Sequence, residues 1–212
     1  MKKACAASIL KAAIILVVFI ASIVLAGCGT STPEQPKPAA PAAARNPNQK
    51  NPVAVIETDL GTVKVELLEN EAPKTAENFQ QLAQRGFYNG VIFHRVISGF
   101  MIQGGDPTGS GTGGQTASGG VLPNEINLNS PLYQGGYKRG DVAMANKGRP
   151  ETASSQFFIM HQNYALPPNY TVFGRVIEGI EVVDKIAAAP NTGPQTMNRP
   201  VTPVKMTKVY IQ

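Results

Sequence analysis

The chain has two cysteines, two histidines and no tryptophan in 212 residues. Each scarcity removes a class of chemistry. Cys5 and Cys28 both precede residue 53, so the body of the chain offers no thiol for a disulfide, a thiolate metal site or a cysteine nucleophile. His94 and His161 sit in strand-like patterns with no carboxylate at ligand spacing. A metal site takes three or four ligands, so no metal is expected, and each histidine is expected to be a hydrogen-bonded structural residue. No G-x-S-x-G elbow is present. Gly109-Ser110-Gly111-Thr112-Gly113-Gly114 matches G-x-G-x-x-G, but no buried strand precedes it and no helical pattern follows. A dinucleotide site needs both. The segment reads as a glycine-rich surface loop, and no cofactor is expected.

Long apolar runs are also absent, with one exception. Lys2, Lys3 and Lys11 precede an uncharged, almost wholly apolar stretch at 12–26. The order is that of an export signal: a basic start, an apolar centre, then small residues. Its length is short of the roughly 20 residues that span a bilayer; an uncleaved membrane anchor is the alternative. Leu25-Ala26-Gly27-Cys28 resembles the lipobox of bacterial lipoproteins. That resemblance implies removal of residues 1–27, a diacylglyceryl thioether on Cys28, and an exported protein anchored to the bacterial cell membrane. Two acyl chains suffice for stable anchoring. Export permits disulfides, yet no free thiol would remain, so the core alone must stabilise the domain. Removing Lys2, Lys3 and Lys11 from the 19 basic residues leaves 16 against 14 acidic ones, a net charge of +2 rather than +5. The basic balance is largely a targeting feature, and no nucleic-acid partner is expected.

Residues 28–52 carry Pro33, Pro36, Pro38, Pro41, Pro47 and Pro52 and almost nothing apolar larger than alanine. Such a segment is an extended spacer. Residues 53–212 then make one domain. Two alternating runs, 53–57 and 62–67, flank Thr58-Asp59-Leu60-Gly61 and predict a hairpin. Residues 73–85 predict a helix with Ala76, Phe79, Leu82 and Ala83 on one face, stopped by Gly86. Further strands are expected at 91–97, 141–145, 156–161, 171–176 and 204–211. A second helix is expected at 180–188, with Ile180, Val183, Ile186 and Ala187 inward. The Gly- and Asn-rich stretch 104–140 is a long loop, a form that is usually functional or disordered. Many short strands with glycine-rich turns argue a sandwich or barrel.

The chemistry concentrates in Phe93-His94-Arg95-Val96-Ile97-Ser98-Gly99-Phe100-Met101-Ile102-Gln103-Gly104-Gly105-Asp106. A guanidinium and an amide share a short segment with bulky apolar groups, which builds a greasy pocket with one charged wall. Gln156-Phe157-Phe158-Ile159-Met160 repeats the theme. As a strand it places Phe157 and Ile159 on a core face, and Gln156, Phe158 and Met160 on the other.

These two segments, with Gly109–Gly114, Met144-Ala145-Asn146, Ser154-Ser155 and Val172-Phe173-Gly174 in the same order and spacing, resemble the cyclophilins. The resemblance covers about residues 53–212. It implies a mostly β fold: an eight-stranded antiparallel closed β-barrel capped by two α-helices, with the active face outside. It implies peptidyl-prolyl cis-trans isomerisation on proline-containing segments of unfolded or exported proteins. Arg95 would be the catalytic arginine, with Gln103 orienting it or the substrate carbonyl. Phe100, Met101, Phe158 and Leu166 would wall the proline pocket, Gln156 would lie beside it, and Ala145 and Asn146 would line the groove for preceding residues. Tyr170 stands where a histidine is common, Lys147 where a small residue is usual, and Ala165 where animal members often carry tryptophan. The last departure weakens the expectation of cyclosporin binding. A monomer is expected. The rival reading is a binding module that captures proline-containing segments without catalysis.

Overall fold

The computed structural model describes residues 50–149 and 151–212. The expected signal peptide, Cys28 and nearly all of the spacer lie outside the described residues. Eight strands and two helices follow in order: β1 (Val53–Thr58), β2 (Gly61–Leu67), α1 (Pro73–Gln84), β3 (Arg95–Ile97), β4 (Met101–Gly104), β5 (Asp141–Met144), β6 (Phe157–Met160), β7 (Val172–Glu178), α2 (Ile180–Ala187) and β8 (Met206–Ile211). Two short 3₁₀ turns, Pro131–Tyr133 and Pro194–Thr196, lie in the connections.

The strands form one antiparallel sheet in the order β3-β4-β6-β5-β7-β2-β1-β8. The β1–β2 hairpin runs in register from Val53↔Glu66 to Thr58↔Gly61, and Gly61 supplies the turn with a φ of +133°. Pro73 opens α1, where its missing N–H costs nothing. Ala76, Phe79, Leu82 and Ala83 are buried as the spacing predicts. In α2 the fully buried set is Val182, Val183, Ile186 and Ala187, and Ile180 is only partly covered.

The expected closed barrel is not what forms: the sheet is open and curled into a half-barrel. Its edges, β3 and β8, share no ladder. Between them lie a single bridge, Ile92↔Lys205, and isolated bonds such as Phe93 N–H to Val204 O at 3.0 Å. The cause is local. The strand expected at 91–97 is regular over only three residues. The free edge of β3 is taken by the 191–198 loop: Val96 N–H donates to Asn198 O at 3.0 Å, and Asn191 Nδ2 donates to Val96 O at 3.1 Å. A loop occupies the place where a closing strand would pair.

Two apolar clusters lie on opposite faces of the sheet. The inner one holds Phe79, Tyr88, Phe157, Ile159 and Phe173, with Phe79 stacked on Tyr88 at 4.9 Å and edge-on to Phe157 at 5.4 Å. The outer one holds Met101, Tyr137, Phe158 and Met160. Residues of β6 therefore alternate between the clusters as the period-two pattern predicts. The outer cluster is where the functional residues gather.

Candidate active site

A groove of about 530 Å³ opens over the outer cluster. Arg95, Phe100, Met101, Gln103, Ala145, Asn146, Phe158, Leu166 and Tyr170 line it. Gln156, expected beside the pocket, does not line the groove but lies one hydrogen bond behind it; Lys147 and Ala165 are not in the lining either.

Strand register assembles the polar wall. Arg95 and Gln103 are directly opposed in the β3–β4 pair, and Gln103 opposes Phe158 across β4–β6. Arg95 Nη1 donates to Gln103 Oε1 at 3.2 Å. Gln103 Nε2 donates to Gln156 Oε1 at 3.0 Å. Gln156 Nε2 donates to Gly113 O at 2.8 Å and Gly111 O at 3.1 Å. Each amide therefore has one orientation that satisfies both ends. Burial pulls the Arg95 pKa down and Tyr170 pushes it back up, and a guanidinium stays charged throughout the working range.

The loop that ends this relay is itself built around one carboxylate. Asp106 is fully buried and accepts from Thr108 N and Oγ1, Gly111 N, Gly113 N and Ser110 Oγ. Burial alone would raise its pKa. The hydrogen bonds from Thr108, Gly113 and Gly111 outweigh that and bring it down to about 2. The glycine-rich segment thus serves as a clamp for Gln156, a role that its sequence did not announce.

The apolar floor is held from beneath. Met101 is buried in β4, Phe158 is nearly so in β6, and the Tyr170 ring stands edge-on to Phe158 at 5.3 Å. Tyr137, missed in the sequence, is buried under both. Its hydroxyl donates to Tyr170 O and accepts from Tyr170 N, each at 2.9 Å. Phe100 comes from the β3–β4 turn and packs on Tyr164 at 4.6 Å. Asn146 Nδ2 donates to Asn169 O at 2.9 Å, and its Oδ1 accepts from Gly148 N at 2.9 Å, so its side chain braces two loops.

The histidines divide. His161 is hydrogen-bonded as expected: Nδ1 accepts from Gly99 N–H at 2.9 Å, and Nε2 lies 3.2 Å from Asp184 of α2. His94 is not. It is buried, and neither ring nitrogen has a partner among the described residues. Pro194, Met197 and Asn198 also line the groove; they belong to a stretch whose sequence carries no periodic signal.

Among the described residues the lining contains no carboxylate, thiol or imidazole. It offers one oriented cationic donor beside a rigid apolar seat. Such a seat suits a compact apolar ring placed next to a polar atom. A model of the cyclophilin-type peptidyl-prolyl cis-trans isomerase family matches residues 53–211. Peptidyl-prolyl cis-trans isomerase-like 1 of Homo sapiens is 41% identical over 160 residues, covering 75% of this chain and 92% of that protein. Isomerase CYP18-1 of Arabidopsis thaliana is 45% identical over 160 residues, covering 74% and 93%. A crystal structure of a cyclophilin-type isomerase from Cryptosporidium parvum superposes with a TM-score of 0.68 at 35% identity, covering 76% of this chain and 98% of the other. The chain belongs to the cyclophilin-type peptidyl-prolyl cis-trans isomerases, and X–Pro isomerisation is its activity.

Proposed function

We propose that this domain isomerises X–Pro bonds in exported proteins while tethered to a bacterial membrane through a lipid on Cys28, with Arg95 as the group that stabilises the twisted amide. Amide resonance sets a barrier of about 18–20 kcal/mol to rotation, and X–Pro exchange is slow, on the order of tens to hundreds of seconds. A catalyst must bind the twisted amide better than either planar form. In the twisted state the proline nitrogen becomes pyramidal and gains a lone pair. A guanidinium donor aimed at it forms a bond that vanishes when planarity returns. Phe100, Met101, Phe158 and Leu166 hold the ring and exclude water, which strengthens that bond. Ala145 and Asn146 hold the backbone before the proline while the other half turns.

The observation that carries the catalytic part of this reading is the relay from Arg95 through Gln103 and Gln156 to Gly111 and Gly113, which fixes a charged donor over an apolar floor; export and the lipid tether rest on the N-terminal sequence that ends in Leu25-Ala26-Gly27-Cys28. A solved relative from Cryptosporidium parvum, determined in the presence of the dipeptide Ala-Pro, superposes with a TM-score of 0.67 at 34% identity, and a proline-containing peptide is the ligand class expected in this groove. Ala165 is exposed beside Leu166 and offers only a methyl group there, so cyclosporin is bound weakly. In the full-length protein, Arg95→Ala lowers kcat/KM on an X–Pro peptide at least about tenfold, the scale of one hydrogen bond to a charged group, with the far-UV spectrum unchanged. Undiminished isomerisation in a folded variant refutes the mechanism and favours a proline-segment binder.

A further inference from the structure

Met197 has a backbone φ of +62° and Asn198 one of +51°. Asparagine tolerates that region; methionine, with its Cβ, does not readily. The segment is nevertheless pinned. Asn198 N–H donates to Gly193 O at 2.8 Å, Thr192 N–H donates to Arg199 O at 2.9 Å, and Asn198 O accepts from Val96 on β3. The Met197 side chain stays well exposed, at 41%. Its methyl reaches Gly111 so closely that a Cβ there would lie 2.5 Å from it. A bulky apolar residue is thus held in a disfavoured conformation, at the rim of the groove, without being used to fill the core. Such a position points to what the side chain does for a ligand.

Its place across the sheet says which part of the ligand. From one side of the groove to the other the order is the 191–198 loop, β3, β4, β6 and β5. Arg95 stands on β3, next to the loop. Ala145 follows β5 and donates to Gln156 O, at the far side. A peptide with its pre-proline residues at Ala145 and Asn146, and its proline nitrogen at Arg95, runs on over Met197.

We infer that Met197 forms a subsite for a large apolar side chain immediately following the proline, and so sets substrate preference on that side. The inference rests on the isomerase reading of the groove. A flexible thioether adapts to several apolar shapes, so leucine, methionine and phenylalanine are all accepted, while a polar side chain of similar size can cover the exposed methyl only by giving up its own hydration.

The test compares Ala-Ala-Pro-Leu-Ala with Ala-Ala-Pro-Asn-Ala, nearly equal in size after the proline, by NMR exchange with the full-length protein. The wild type favours the leucine peptide about fivefold or more in kcat/KM, the scale set by partial burial of one apolar side chain. Met197→Leu keeps the ratio. Met197→Asn, which suits the backbone conformation, brings it within about twofold of unity. Met197→Gly, which also relieves the backbone, does the same and serves if the asparagine variant fails to fold. Equal wild-type rates on the two peptides, or an unchanged ratio in the asparagine and glycine variants, overturn the subsite and leave the isomerase reading standing. A wild type that isomerises neither peptide overturns the isomerase reading and the subsite with it.

Discussion

Arg95 and Gln103 face each other across the β3–β4 pair, and the guanidinium donates to the amide oxygen at 3.2 Å. One amide N–H is used on Gln156, and turning the amide over would break both bonds. Gln103 is therefore held as a positioning arm for Arg95. Gln103→Ala frees the guanidinium to swing and should lower kcat/KM about tenfold, the scale of one hydrogen bond to a charged group. The loss should fall mainly on kcat, because the proline seat of Phe100, Met101 and Phe158 is intact. Progress curves at several peptide concentrations separate the two; a loss confined to KM would mean that Gln103 binds substrate rather than orients Arg95.

Asp106 contributes to stability in a pH-dependent way, and the sign follows from its hydrogen bonds. Its folded pKa is about 2, against 3.8 for the ordinary group. A depressed carboxyl gives stability that is complete above the unfolded value and is lost as pH falls from about 4 towards 2. The difference corresponds to roughly 2 kcal/mol. Asp106→Asn should unfold about 2 kcal/mol more easily in urea at pH 7, and the gap should narrow below pH 3. Because the same carboxylate shapes the loop that clamps Gln156, the variant should also isomerise more slowly. A gap independent of pH would remove the carboxylate from this role.

Cys28 is tested without reference to catalysis. Labelled fatty acid should enter the wild-type protein in a bacterial host, and Cys28→Ser should abolish the label while leaving X–Pro isomerisation by the extracted protein unchanged. Equal labelling of both would refute the lipid attachment and return the uncleaved anchor to consideration.

Much of the site was legible because its chemistry is local. Arg95, Gln103, Phe100 and Met101 come from one unbroken stretch, and the alternation of β6 told Phe158 from Phe157 before any fold was known. What escaped the sequence depends on contacts far apart in it. Tyr137 grips the backbone of Tyr170 from the long glycine-rich connection, and neither residue carries a periodic signal that couples them. Gly111 and Gly113 serve through carbonyl oxygens, which no residue type advertises. The open edge was missed for a related reason. Apolar alternation in 91–97 predicts a strand, but the edge partner of Val96 is a loop about a hundred residues later, whose asparagines imitate a strand with single bonds.

His94 is a buried side chain whose polar atoms the described residues leave unsatisfied. Both ring nitrogens lack partners among the described residues, and burial lowers its pKa, with Arg199 and Arg95 adding to that and Asp106 opposing it. The folded protein therefore holds the neutral ring, while the unfolded chain takes up a proton near the ordinary value of 6.5. For a histidine with a lowered folded pKa, stability is complete above the unfolded value and falls as pH drops below it. His94→Leu keeps an apolar side chain of similar volume and removes two stranded polar atoms, each worth about 1 kcal/mol or more. The variant should be at least as stable as the wild type at pH 7.5. Between pH 6.5 and 5 its melting temperature should decline less, since the proton uptake of the unfolded chain at this position is gone. Parallel melting curves across that range are the measurement. A large destabilisation of the leucine variant at pH 7.5 would show that the imidazole has a bonded role in the folded state.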